Sequence, residues 1–358
     1  MIGVGRYPHL NGGDGPLAKD PLGLSQVTTP PITAKKIAAW LLEKYASANC
    51  PLGSVELLLS PETDIVRPDG MQKPTEPATF DRIELAFNKW EQRCSTHPDN
   101  KALFYFCGHG LNKVRQFLLP ENFGDPGWGD PFRHNIDFDG LRTGMWSCKA
   151  RTQIFFVDAC RETPFGLLDQ IEVTGQSFIK STFSDAASIN CSAAYYATTE
   201  GKPAFGPEND VTYFGQAVLK CLNGAGCSNA GGDWIVDSYS LSKALGDMMQ
   251  HFGRKHKLAL SCNPDASGMG TISEPAAPFV IASIRCKNEP EADPAAEIVM
   301  KRGADVRQSP AGQDKPLEEE VAPGEWDIKV AFPGGQYGGP ISKTYTLLPP
   351  VFEGVSVP

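Results

Sequence analysis

Five short apolar runs, at positions 2–5, 55–60, 103–107, 154–157 and 193–198, are separated by stretches of helical periodicity. The runs are continuously apolar, not alternating, which is the pattern of strands covered on both faces. Parallel strands need a long crossover between them, and an amphipathic helix supplies it. Helical periodicity is found at 32–47, 80–94, 211–222 and 241–252. The first of these puts Ile37, Ala38, Leu41 and Leu42 on one face; the second groups Ile83, Leu85, Ala86 and Trp90. A sixth run at 279–284 is expected to complete the sheet. The pattern predicts an α/β fold built on a largely parallel sheet.

Three intervening segments read as loops. Positions 8–31 are rich in Gly and Pro, 120–145 contain GDPGWGDP, and 161–190 form a third long connection. All three follow the C-terminal ends of strands, where open α/β sheets build their sites. The composition changes near Arg285, where EPEADPAAE gives way to short β-like runs at 297–300, 326–332 and 344–348, broken by Pro and Gly. The expected organisation is an α/β domain over 1–285 and a small all-β domain over 286–358, joined by an acidic, Pro-containing linker.

Composition narrows the function classes. The net charge of −9 lacks the clustered Lys and Arg that nucleic-acid binding requires. No apolar stretch reaches the length of a membrane span, and the first residues lack the basic start and long apolar core of a secretory signal, so a cytoplasmic location is expected. The ten cysteines include Cys107, Cys191, Cys221 and Cys286, each bordered by apolar or small residues, as buried reduced thiols are. There is no CxxC pair and no second ligand pair at zinc spacing, so no metal site is expected.

Two of the apolar runs stop at reactive side chains. FYFCGHG carries His109 and IFFVDACRE carries Cys160, and the two lie 51 positions apart. Neighbouring strands with those ends would bring an imidazole beside a thiol, the minimum for cysteine-nucleophile catalysis. The imidazole would raise the thiolate fraction and then protonate the leaving amine. Gly108 and Gly110 bracket the His and let a backbone N–H approach substrate closely. The N–H groups of Gly110 and Cys160 are therefore the expected oxyanion donors.

With those residues in view, the chain resembles the caspase superfamily of cysteine peptidases, including the metacaspases and paracaspases. FYFCGHG is similar to that superfamily's histidine motif and FFVDACRE to its cysteine motif. The run AAYYATTEGKPAFGPENDVTYFGQAVLKCL resembles the strand, loop and helix that follow the catalytic Cys. The resemblance covers residues 1 to 284. It implies a six-stranded, largely parallel sheet flanked by helices, with His109 as general acid/base and Cys160 as nucleophile. It also implies peptide-bond hydrolysis through a thioester, with no cofactor needed for the chemistry. Asp158 and Glu162 depart from the animal-caspase signature, which has Gln and Gly in those places. In metacaspases and paracaspases an Asp stands where Asp158 does and lines the pocket for the residue before the scissile bond. The resemblance therefore implies cleavage after Arg or Lys. Asp14 and Asp20, in the long insert, are candidates for a second acid of that pocket.

The remaining expectations are looser. Lys180, in a Ser-rich interval after Cys160, is a candidate for self-cleavage. His134 is expected at the surface and Trp128 as a packing anchor for its loop, while Arg161 is either a substrate contact or a partner of Glu162. The C-terminal β domain is expected to bind a regulatory partner or ligand. Calcium or a nucleotide activator enters only by analogy with relatives, since neither an EF-hand loop nor a phosphate-binding glycine loop is present. Microbial proteins of similar layout act in stress, cell-death or antiviral programmes. The alternative expectation is a caspase-fold signalling or scaffold protein with weak or lost catalysis.

Overall fold

The computed structural model describes all residues except 67–71, 131, 164–172, 181–188, 203, 205, 230, 276, 287–289, 313–316, 336 and 356–358. Its centre is a six-stranded sheet in the order β12-β10-β9-β5-β1-β2. These strands are β1 (Ile2–Val4), β2 (Leu58–Ser60), β5 (Lys101–Cys107), β9 (Thr152–Asp158), β10 (Cys191–Tyr196) and β12 (Asn263–Ser267). Four of the five pairings are parallel, and only the edge strand β12 runs antiparallel, against β10.

Both faces of the sheet are covered, which is why its strands read as unbroken apolar runs. One face carries α2 (Phe80–Cys94) and α3 (Phe138–Gly144), packed on Phe104, Phe106, Phe155 and Val157. The other carries α1 (Thr29–Glu43), α4 (Tyr213–Lys220) and α5 (Ser238–His256), packed on Tyr105, Cys107, Ile154 and Phe156. Pro30 and Pro31 open α1, where their missing N–H groups cost no intrahelical bond. Asp237 and Ser240 form a reciprocal capping box at the start of α5. Leu42 and Leu85, expected on buried faces, point to solvent. On α1, Ile37, Ala38, Trp40 and Leu41 meet the core, and Leu42 lies about 100° further round the helix.

Three small sheets decorate the rim. They are the hairpin β3 (Asp64–Val66) with β4 (Gln72–Pro74), the group β6 (Gly110–Lys113), β7 (Arg115–Leu118) and β8 (Ile136–Asp137), and the pair β11 (Val236–Asp237) with β13 (Thr271–Ser273). The C-terminal part is two sheets around one apolar core. The first is β17 (Leu317–Val321), β14 (Val280–Cys286) and β20 (Val351–Val355). The second is β16 (Asp305–Ser309), β15 (Glu297–Arg302), β18 (Gly324–Ala331) and β19 (Ile341–Leu347). Val280, Ala282 and Ile284 from one sheet meet Ile298, Met300, Trp326 and Ile328 from the other.

The run at 279–284 is thus a correction to the sequence reading. It does not join the central sheet but forms the middle strand of the first C-terminal sheet, between β17 and β20. A run apolar on both faces fits either place. Here Val280, Ala282 and Ile284 turn into the C-terminal core while Ile281 turns back toward the α/β core. The sixth central strand is β12 (Asn263–Ser267), whose mostly polar sequence gave no apolar signal because it is a partly exposed edge. The 285/286 division falls inside β14.

Candidate active site

β5 and β9 are hydrogen-bonded neighbours, with Cys107 in register with Asp158. His109 and Cys160 each stand two residues beyond that pair, just past the ends of two adjacent strands. Adjacent strands lie about 4.8 Å apart. The Gly108 N–H donates to Asp158 O at 3.2 Å, which prolongs the ladder between the two motifs past the last strand residue.

Gly110 is where the two motifs press closest. A Cβ there would stand 2.7 Å from Cys160 O and 2.8 Å from the Ala159 methyl and from Gln116 Nε2. Only glycine fits. The N–H directions follow from the ladder of β6 and β7. Leu119 N–H donates to His109 O, so Gly110, opposite Leu118, belongs to a non-bonded pair whose N–H turns away from β7. Asn112, two residues on, has the same orientation, and its N–H reaches Glu162 O at 2.9 Å. The Gly110 N–H is aimed the same way, toward the segment that begins at Cys160.

His109 is held from three sides. Its Nε2 lies 2.7 Å from Ser25 O, and because a carbonyl only accepts, Nε2 carries the proton and Nδ1 is the basic nitrogen. Its backbone N–H donates to the Tyr7 hydroxyl at 2.8 Å, and its ring lies 4.8 Å from the fully buried Tyr7 ring. Burial lowers the imidazole below its ordinary 6.5, against the pull of the Ser25 carbonyl. Burial likewise raises the Cys160 thiol above its ordinary 9.0. The Ala204 N–H, donating to Sγ at 3.3 Å, opposes this, while the carboxylates of Glu162 and Asp158 add to it. Burial thus favours the uncharged form of each group. Gln116 Nε2 donates to Cys160 O at 3.1 Å and holds the Cys160 backbone.

Asp158 points to the opposite face of the sheet from Val157 and is 3% exposed. Its Oδ2 accepts from the Tyr105 hydroxyl at 2.7 Å and from the Thr212 hydroxyl, the N-cap of α4. Among the described residues its Oδ1 has no partner in hydrogen-bond geometry, although the Cys107 thiol lies beside the carboxyl. Burial pushes this carboxyl up to about 6, and the three donors hold it from going higher.

The other sequence candidates are dispersed. Asp14 is exposed and paired with Arg6 at 2.8 Å. Asp20 accepts the Leu22 N–H at 2.9 Å in a surface turn. Neither is among the hydrogen-bond partners of Asp158. Lys180 is exposed at the end of a described stretch, and most of the Ser-rich interval, 181–188, lies outside the described residues. Arg161 does not pair with Glu162; its guanidinium lies over the Tyr196 ring at 4.2 Å, and its backbone bonds to Gly201 and Lys202 lay the loop after β10 against Cys160. His134 is half-buried between Trp128, stacked at 4.1 Å, and Phe80. Among the described residues, no three His, Cys, Asp or Glu side chains converge as a metal-ligand set, and no helix is long and apolar enough to cross a membrane.

Sequence reading missed Tyr7, Ser25, Gln116, Tyr105 and Thr212. A buried tyrosine and a loop carbonyl carry no motif, since their roles exist only through contacts 44 to 102 residues apart in the chain.

No family model matches the chain. An uncharacterised protein, y4kE, of Sinorhizobium fredii is 28% identical over 214 residues, 58% of this chain and 60% of the relative. A probable protease from a Desulfuromonadales bacterium is 30% identical over 137 residues, 37% of this chain and 16% of that protein. The aligned region thus spans under two thirds of either relative. Among solved structures, caspase-1 from Spodoptera frugiperda aligns with a TM-score of 0.41 and 10% identity, over 75% of this chain and 87% of that one.

Proposed function

We propose that this chain is a caspase-like cysteine endopeptidase that cleaves after Arg or Lys. The observation that carries the proposal is the register of β5 and β9, whose adjacent ends lead into His109 and Cys160, with Gly110 close against the Cys160 backbone. The similarity to a probable protease supports the same reading.

His109 Nδ1 takes the thiol proton as Cys160 Sγ attacks the scissile carbonyl carbon. The oxygen, now bearing the negative charge, is met by the N–H groups of Gly110 and Cys160. When the C–N bond breaks, the proton passes from His109 to the departing amine and a thioester remains. Water then attacks the thioester, giving up a proton to Nδ1; the acid product leaves and the thiol is restored. The chemistry needs no cofactor.

Asp158 supplies the basic preference. A carboxylate in a desolvated pocket attracts a guanidinium or ammonium strongly. Of the two candidates for a second acid, Asp20 is the one with no basic side chain paired to it among the described residues; Asp14 is neutralised by Arg6. A regulated role in stress, cell death or antiviral defence, self-cleavage after Lys180, and a partner bound through the C-terminal sheets belong to the same proposal.

Fluorogenic peptides ending in Arg, Lys or Asp test it directly. The Arg and Lys peptides should be cut and the Asp peptide spared, with Cys160→Ala lowering kcat by roughly 10⁴-fold or more. Asp158→Asn should raise KM for the Arg peptide far more than it lowers kcat. In the parent protein that KM should rise as the pH drops through about 6, where Asp158 takes up its proton. Turnover of the Asp peptide alone would overturn the assignment of Asp158, and activity that survives in Cys160→Ala would overturn the mechanism.

A further inference from the structure

The insert at 8–31 was expected to be a loop, yet it is tightly bonded around His109. Gln26 accepts the Tyr7 N–H at Oε1 (2.8 Å) and donates from Nε2 to Tyr7 O (2.9 Å) and Asn11 O (3.2 Å). One carboxamide thus pairs with both backbone groups of Tyr7 as a neighbouring strand would. The residue before it, Ser25, presents the carbonyl that receives the His109 Nε2–H. Asn11 secures the same stretch, bonding Leu24 O through its backbone N–H and its side chain. Val27 N–H returns to Gly5 O at 3.0 Å, closing the segment onto the end of β1.

We infer that Tyr7 and Gln26 are positioning residues for the general base, locking His109 in the Nε2–H tautomer with Nδ1 turned to Cys160. The two groups that touch the imidazole, the Tyr7 ring and the Ser25 carbonyl, lie on different stretches of chain. Gln26 is the only side chain described as bonding Tyr7 on both its N–H and its C=O, and it does so from the residue adjoining Ser25. The Tyr7 hydroxyl completes the lock. It accepts the His109 backbone N–H and donates, over 3.4 Å, to the carbonyl of Leu119, whose own N–H holds His109 O. Without Gln26 the Ser25 carbonyl is free to drift from Nε2, and a ring that gains the Nδ1–H tautomer cannot accept the thiol proton there.

The inference rests on the peptidase reading for its kinetic consequence but not for its structural one, and the test separates them. Two-bond ¹⁵N–¹H NMR correlations of histidine-labelled protein, with His109 assigned by its loss in His109→Gln, report the tautomer directly. The parent protein should show His109 protonated at Nε2. Tyr7→Phe removes one hydroxyl, and Gln26→Leu removes the carboxamide at similar volume. Both should show mixed tautomers, with kcat on the Arg peptide lowered roughly 10-fold or more and KM within about 2-fold. A purely structural role would lower the thermal midpoint and leave the tautomer and kcat of the folded fraction unchanged. That result, or an Nδ1–H tautomer in the parent protein, overturns the inference. The parent measurement decides even if a variant fails to fold. Absence of peptide cleavage alongside the expected tautomer change would sink the peptidase reading and leave the lock standing.

Discussion

At Cys160 and His109 the same force acts on both partners: burial disfavours whichever form is charged. It raises the thiol and lowers the imidazole, and no cation among the described residues offsets it at Sγ. Both shifts disfavour a pre-formed thiolate–imidazolium pair, so under the proposed mechanism proton transfer accompanies attack. This fixes the sign of the pH dependence. The proposed mechanism requires neutral His109, and lowering its pKa extends the neutral form to lower pH. The acidic limb of kcat/KM should fall below pH 6.5. With the base removed in His109→Ala, iodoacetamide should alkylate Cys160 with a midpoint above pH 9. An acidic limb above 6.5 would require a carboxylate facing the ring, which the described residues do not provide.

At the scale of elements, the proposed chemistry depends on how closely two strand ends approach. The β5–β9 register alone would set His109 and Cys160 side by side, but β6 must also fold back at once beneath Ala159 and Cys160. Gly110 permits this, and the atoms around it are mostly backbone or short side chains that cannot swing away. Gly110→Ala should therefore move the strand end instead of a side chain. The expected cost is about 1–3 kcal/mol of stability from overpacking. Misplacing one oxyanion donor should lower kcat by roughly 100-fold. A melting curve beside peptide kinetics checks both; retained kcat in a folded Gly110→Ala protein would rule out the oxyanion role. α4 shows a second economy. Its N-cap, Thr212, accepts the Gly215 N–H while donating to Asp158, so helix initiation and the orientation of Asp158 share one hydroxyl.

For the whole molecule, the C-terminal sheets are fastened to α4 and α5 by ion pairs. His251, 3% exposed on α5, has Nδ1 2.8 Å from Glu353 and Nε2 3.3 Å from Glu318. Arg254 and Arg285 also face Glu353, Lys255 faces Glu318, and Lys220 at the end of α4 meets Glu320. Burial would lower His251, but the two carboxylates outweigh it and raise the imidazole above 6.5. The His251 bond holds Glu318 at about 2, and at Glu353 the His251 and Arg254 bonds overcome burial to the same effect. A raised imidazole gives its full stabilisation below its ordinary 6.5 and loses it as the pH rises through its shifted value. Depressed carboxylates give theirs above their ordinary 4.5 and lose it as the pH falls toward 2. The contact should be strongest between those limits. Thermal midpoints of the parent and Glu353→Gln, compared across pH, should differ most between pH 4.5 and 6.5 and narrow at alkaline pH to the part that Arg254 and Arg285 sustain. A pH-independent gap would mean the His251 charge does not bind the two parts together.

Continuous apolar runs ending at GHG and DAC were legible because burial on both faces and chemistry at strand ends leave local marks in a sequence. Those marks were enough for the α/β class and five central strands, and they singled out His109 and Cys160 as candidates. The edge strand β12 left no such mark, being polar where it is exposed, and the run at 279–284 carried a mark that two different sheets could satisfy. The residues that hold the site, Tyr7, Ser25, Gln26 and Thr212, were silent for another reason. A hydroxyl, a carbonyl or a carboxamide acquires direction only when distant segments meet, so the protonated nitrogen of His109 was decided by the tertiary structure alone.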